Sequence, residues 1–266
     1  MTVSLEFSDP QGYADFVTLV RRARSADPDA AVRLITRGSV LGVWVGVLPG
    51  SGLFAAGAAV GHRGFALGAP MAAGCDVVVS AGALTDRFAR DLPGATVLSV
   101  PPAAVHAPWA GQLPLTGPWE WVGSISESVL AARAAEGIAS VAQAVPDAVG
   151  SAAVDAVRRR IWDAPLPVVL GDGYGSDSGS GDRSDPADPV GWSVPTGAAF
   201  AASVLGLLPR GSRSSGVSGA RGVGGGAGAG EGGAGGAEIP QATAQVYRCG
   251  RWSRIRLERG HVFARA

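Results

Sequence analysis

Two groups of residues in this sequence have the types and spacing to do chemistry. The first is a run of arginines, Arg248, Arg251, Arg254, Arg256 and Arg259, set among alternating Val, Tyr, Trp, Ile and Leu. Guanidinium groups at strand spacing are suited to the phosphates of a nucleic acid. The same alternation keeps the solvent face of an edge strand polar and deters foreign strands, so both readings stand. The second group is His106, Trp109, Trp119 and Trp121, in a stretch over 101–121 rich in Pro and Trp. These side chains could line a small-molecule groove, with His106 and Glu120 as an acid–base pair. More often a tryptophan cluster covers a core where the chain crosses over.

Other chemistry is excluded residue by residue. All 22 basic residues are Arg, so there is no lysine for a Walker loop, a kinase strand or a Schiff base. Asn is absent too, which fits GC-rich coding, so Arg here cannot be read as chosen over Lys for its planar fork. Every serine fails one glycine position of a nucleophile elbow. The G-x-G-x-x-G spacing occurs only inside a glycine tract, with no strand before it and no helix after it. A calcium loop starting at Asp177 would put Gly179 and Gly181 where ligands belong. The three histidines, His62, His106 and His261, lack i, i+4 partners and cysteine pairs, so no metal site is expected. His62 is expected at a strand turn and His261 in a terminal hairpin. Cys75 and Cys249 read as separate free thiols. No catalytic residue and no cofactor is assigned.

The elements that must position these groups follow from periodicity. A short strand over 3–7 precedes a helix capped by Ser8 or Asp9, with Pro10 in its first turn and Tyr13, Phe16, Val17 and Val20 on its apolar face. Strands are expected over 32–35, 40–47, 64–67 and 76–79, then a helix opened by Ser80 with Leu84, Phe88 and Leu92 inward, and a strand over 96–100. Ser124 and Glu127 form a capping-box pattern before a helix whose inward stripe is Leu130, Ala134, Gly137, Ile138, Val141 and Val145. A second helix starts at Ser151 with Val154, Val157 and Ile161 inward, and a third covers 196–208. The terminal hairpin pairs residues near Val246 and Tyr247 with 252–257, turning at Arg259 and Gly260 into 261–264.

The expected fold class is therefore α+β: a strand-rich half over 1–100, a Pro/Trp-rich connector over 101–122, and a mostly helical part over 123–266 closed by the hairpin at 245–265. Two stretches cannot build a core: an acidic loop over 171–189 and a glycine-rich, disordered insert over 209–238. Net charge is zero, so the whole-chain field favours no partner, but from Pro240 onward six Arg face one Glu. The uncharged stretch from Gly38 to Gly61 is long enough to span a bilayer. Pro49 and Gly50 cut it, and it reads as two buried strands. No signal peptide is visible at MTVSLEFSDP, so a cytoplasmic protein without membrane contact is expected.

Three resemblances bear on function. The segments AVRLITRGSVLGVWVGVL, SVPTGAAFAASVLGLL and GRWSRIRLERGHVFARA resemble uncharacterised proteins of high-GC actinobacteria, which have no assigned function. The element order of the first hundred residues, with DVVVSAGALTDRFARDLPGATVLSV as strand, helix, strand, is similar to one unit of DNA sliding clamps. That resemblance would put Arg21, Arg22, Arg24, Arg87 and Arg90 on DNA-facing helices. Three helices followed by an Arg-rich hairpin resemble a winged-helix order. The function expected is a non-enzymatic binding or accessory protein whose partner, a protein or a nucleic acid, meets the terminal hairpin. The alternatives are an enzyme with a site near Trp109–Trp121 and a structural interaction module without ligand.

Overall fold

The computed structural model describes residues 3–50, 56–71, 74–113, 117–144, 150–171, 192–209 and 242–265. The expected acidic loop and glycine-rich insert lie outside these residues, apart from Gly171 and Pro209. The class is α+β. The chain begins with β1 (Ser4–Glu6) and α1 (Pro10–Ala26). Asp9 caps α1, accepting the Gly12 amide at 2.8 Å, and Pro10 occupies a first-turn position that needs no amide donor. Tyr13, Phe16, Leu19, Val20 and Ala23 then fall on one buried stripe. Strands β2 (Ala31–Arg37), β3 (Val40–Leu48) and β4 (Ala59–Ala66) form a meander, with β5 (Asp76–Ser80) returning beside β2. Ser80 caps α2 (Ala81–Phe88), and β6 (Val97–Ser99) pairs with β1.

The remainder contributes β7 (Glu120–Ser126), α3 (Glu127–Ala144), α4 (Ser151–Trp162), β8 (Pro165–Pro167), β9 (Val169–Leu170), β10 (Ser193–Pro195) and α5 (Gly197–Val204). A second meander follows: β11 (Thr243–Cys249), β12 (Trp252–Leu257) and β13 (Gly260–Arg265). The strand order β5-β2-β3-β4-β13-β12-β11-β7-β9 makes one nine-stranded antiparallel sheet. Its two meanders meet through their last strands, β4 and β13, with His62 opposite His261.

Alternation sorts each strand's side chains to two faces. The inner face carries Val32, Leu34, Leu41, Val43, Val246, Ile255 and Val262, which form the main core with Phe16, Leu84, Leu130 and Leu205 from the helices. The small residues Ala198, Ala199, Ala201 and Ala202 let α5 lie close to the sheet. The outer face carries a second, aromatic cluster of Trp44, Val60, Trp252 and Phe263, closed by Trp109, Ala110 and Trp119 from the segment over 107–119. That strap is fastened by the Arg33 guanidinium, which donates to the Ala110 carbonyl at 2.5 Å, and by Arg265, which donates to Gln112 at 3.1 Å.

Several expectations change. The terminal hairpin is a three-stranded meander in the interior of the sheet, so it is neither an edge nor a projecting wing. Ser124 is not a cap: it lies in β7, opposite Gln245 and Val169, and α3 begins only at Glu127. Strand pairing on both sides outweighs the local capping pattern there. Ile138 is exposed, as is Leu92, because α2 ends at Phe88. Trp162 is the buried anchor of α4, stacked on Phe200 with ring centroids 4.4 Å apart, while Val154, Val157 and Ile161 are half-buried. The strand expected over 64–67 runs over Ala59–Ala66, and the helix expected over 196–208 is Gly197–Val204.

Candidate functional site

The two residue groups singled out from sequence converge in part on the outer face of β7, β11 and β12. Residues of alternating parity point outward there, and cross-strand register sets Trp121 beside Tyr247 and Tyr247 beside Arg254. Trp119 arrives from the strap. The Arg254 guanidinium lies between two rings, 4.9 Å from the centroid of Trp119 and 4.6 Å from that of Tyr247. This cation–π sandwich fixes both aromatic planes. Burial lowers the pKa of Arg254, with Arg256 adding to the effect, yet a guanidinium stays protonated at neutral pH. Its Nε has no hydrogen-bond partner among the described residues. Trp121 is 43% exposed and is held by an indole donation to Gln245 Oε1 at 2.8 Å. Arg256 is exposed two positions along β12, opposite both Gln245 and His261.

The other predicted residues disperse. Arg248 points to the opposite face, donating to Glu120 at 2.7 Å and lying 5.5 Å over the Trp192 ring. Arg251 is exposed in the β11–β12 turn, and Arg259 is exposed in the β12–β13 turn. Trp109 is not a pocket wall. It is 8% exposed and packs so closely on Gly46 that a Cβ there would come within 2.4 Å of the indole nitrogen. His106 is exposed just before the strap, and Glu120 is committed to Arg248, so the structure gives the acid–base pair considered from sequence no shared contact.

Two residues that sequence reading set apart are brought together. His62 and His261 stack at the seam of the sheet with ring centroids 5.7 Å apart and planes 22° from parallel. Trp44 lies 4.2 Å from His62 on the other side. Burial is the first cause that pushes both imidazoles down to about pKa 4. The second is the partner histidine for His62, and Arg254 with Arg256 for His261. Both are therefore neutral at physiological pH. Neither Nδ1 finds a partner among the described residues. A row Trp44, His62, His261, Arg256, Gln245 thus crosses the outer face, one residue per strand. Only the long-range pairing of β4 with β13 creates it, and no local sequence signal encodes that pairing.

Beyond Arg256 the face opens into a groove of about 900 Å³ at the β12–β13 turn. Among the described residues, no group of three His, Cys, Asp or Glu side chains is placed to hold a metal ion. No helix there is long and apolar enough to cross a membrane.

Residues 114–266 match a family model described as a domain of unknown function (DUF8185), and residues 1–111 match a second, described as a domain of unknown function (DUF8010). No curated protein matches the chain.

Proposed function

We propose, for a chain that belongs to the family described as a domain of unknown function (DUF8185), that it is a non-enzymatic cytoplasmic accessory protein binding single-stranded nucleic acid. The strand lies across the outer face of β7, β11 and β12. The observation that carries this reading is the juxtaposition of fixed aromatic planes with cations on one sheet face: Trp119 and Tyr247 around Arg254, exposed Trp121 beside them, and exposed Arg256 beyond. Bases stack on aromatic and guanidinium planes whatever their sequence, while arginines meet the backbone. A duplex hides its bases and gains nothing from the rings, so the arrangement favours single strands.

Anisotropy titrations with a mixed-sequence single-stranded oligonucleotide, set beside the duplex, test this across a salt series. Binding is expected to weaken steeply with salt, through counterion release. Base stacking contributes about 1–3 kcal/mol per base, so removing both rings in Trp121→Ala with Tyr247→Ala should weaken binding by about 30-fold or more. Absence of binding at low salt by folded protein, or indifference to those substitutions, would sink the proposal and leave a protein partner as the occupant of this face.

A further inference from the structure

The groove at the β12–β13 turn has a charge order that the open face does not explain. Its sequestered wall is Glu127, the first residue of α3, which is only 6% exposed. The Glu127 amide donates to the Ala242 carbonyl at 2.9 Å, and its carboxyl oxygens face the groove rather than the sealed interior. Burial, and then the neighbouring Glu258, push its pKa up, with Arg259 opposing. The rim carries exposed Arg256, flanked by Gln245 and His261 on the neighbouring strands, and in the turn exposed Arg259 with Glu258 beside it. Arg63 also reaches the groove, but it is ion-paired with Asp15 and adds little net charge.

A ligand fitting this order is anionic at one end and rich in hydrogen-bond donors at the other. A carboxylate rejects a phosphate but accepts hydroxyl or amino donors, so it orients a ligand that carries both. Exposed guanidiniums take the phosphate. The groove, of about 900 Å³, is broad and open to solvent and has room for a group of nucleotide size.

Building on the single-strand reading, we infer that this groove is a nucleotide site, with phosphate on Arg256 and Arg259 and the ribose hydroxyls or base amino group donating to Glu127. The carboxylates of Glu127 and Glu258 repel a further phosphate, so a strand that enters from the outer face ends here. The occupant is then either a free nucleotide or the terminal nucleotide of a strand.

Calorimetric titration of the full chain with adenosine monophosphate, beside adenosine and inorganic phosphate, tests the site. Adenosine monophosphate should bind at least about tenfold more tightly than either fragment. Glu127→Leu and Arg259→Gln should each weaken it by about tenfold, while Glu127→Gln, which keeps a carbonyl acceptor, stays within about threefold. A strand ending in a 3′-hydroxyl should bind about tenfold better than one ending in a 3′-phosphate if the terminal nucleotide is the occupant, and equally if only free nucleotides enter. If oligonucleotides bind but none of the four common nucleoside monophosphates does, the groove inference fails and the face reading stands. Nucleotide binding that ignores Glu127→Leu also overturns it. If the monophosphate binds and Trp121→Ala with Tyr247→Ala leaves strand binding unchanged, the face reading fails and the groove stands.

Discussion

Acidification from about pH 7 to about pH 4 is expected to remove about 3 kcal/mol of folding stability through His62 and His261. Both imidazoles titrate near pKa 4 in the folded chain, against an ordinary value of 6.5. As pH falls through 6.5, the unfolded chain takes up two protons that the folded chain refuses, and the equilibrium moves toward unfolding. Stability is therefore level above that window and declines within it. Burial is the first cause for each ring, and the cations Arg254 and Arg256 on β12 reinforce it at His261. Either ring fully sequestered would contribute about 3 kcal/mol, and partial exposure of both reduces the pair to about that sum. Glu127 and Asp163, whose carboxyls are raised, act in the opposite direction, so the comparison must isolate the histidines. Denaturant midpoints measured across this range for wild type and a His62→Gln/His261→Gln variant make that comparison. Wild-type stability measured relative to the variant should fall by about 3 kcal/mol as pH goes from about 7 to about 4. A wild-type curve parallel to the variant's would show that the pair does not control the acid limb.

Trp109→Ala is expected to cost about 3–5 kcal/mol, the range for removing a buried aromatic side chain from a packed core. The indole closes the aromatic cluster over Trp44, Trp252 and Phe263, and Gly46 exists at its contact because no larger residue fits beneath it. Among the described residues the strap that carries it is also held by Arg33 on the Ala110 carbonyl, Arg265 on Gln112, and Trp119 against Phe263 and Arg254. A cavity there cannot collapse without moving two strands. Equilibrium denaturation measures the loss directly, and a value under about 1 kcal/mol would mean that the strap does not seal the outer face. Because Trp109 is inside and Trp121 outside, the two substitutions should separate cleanly: Trp109→Ala acts on stability, Trp121→Ala on binding.

The local elements were legible because their signals are local. Asp9 and Pro10 announce α1, Ser80 announces α2, and the alternation of β2, β3 and β12 shows in Val32, Leu34, Leu41, Val43, Ile255 and Leu257. Misreadings arose where a distant partner outweighed a local pattern. Ser124 and Glu127 satisfy the spacing of a capping box, yet β11 and β9 claim Ser124 from both sides. The site was legible only as residue types. Arg254, Trp119 and Trp121 were all visible, but nothing in one sequence says that Tyr247 completes the sandwich or that His62 meets His261. Those juxtapositions come from the register of β11 on β7 and of β13 on β4. Trp109 shows the reverse: its neighbourhood suggested a pocket wall, and the absence of a side chain at Gly46 turned it into core.

The seam between β4 and β13 also has a history in time. These strands lie roughly 200 residues apart in the chain, and such distant pairing is slow to close. During translation, β4 leaves the ribosome well before β13 exists and waits as an open edge, its hydrogen-bonding groups unsatisfied. A neighbouring chain's β13 can compete for that edge only where chains are crowded, because its own β13 is tethered to it. A swapped β13 is thus the misassembly to look for when this chain refolds at high concentration.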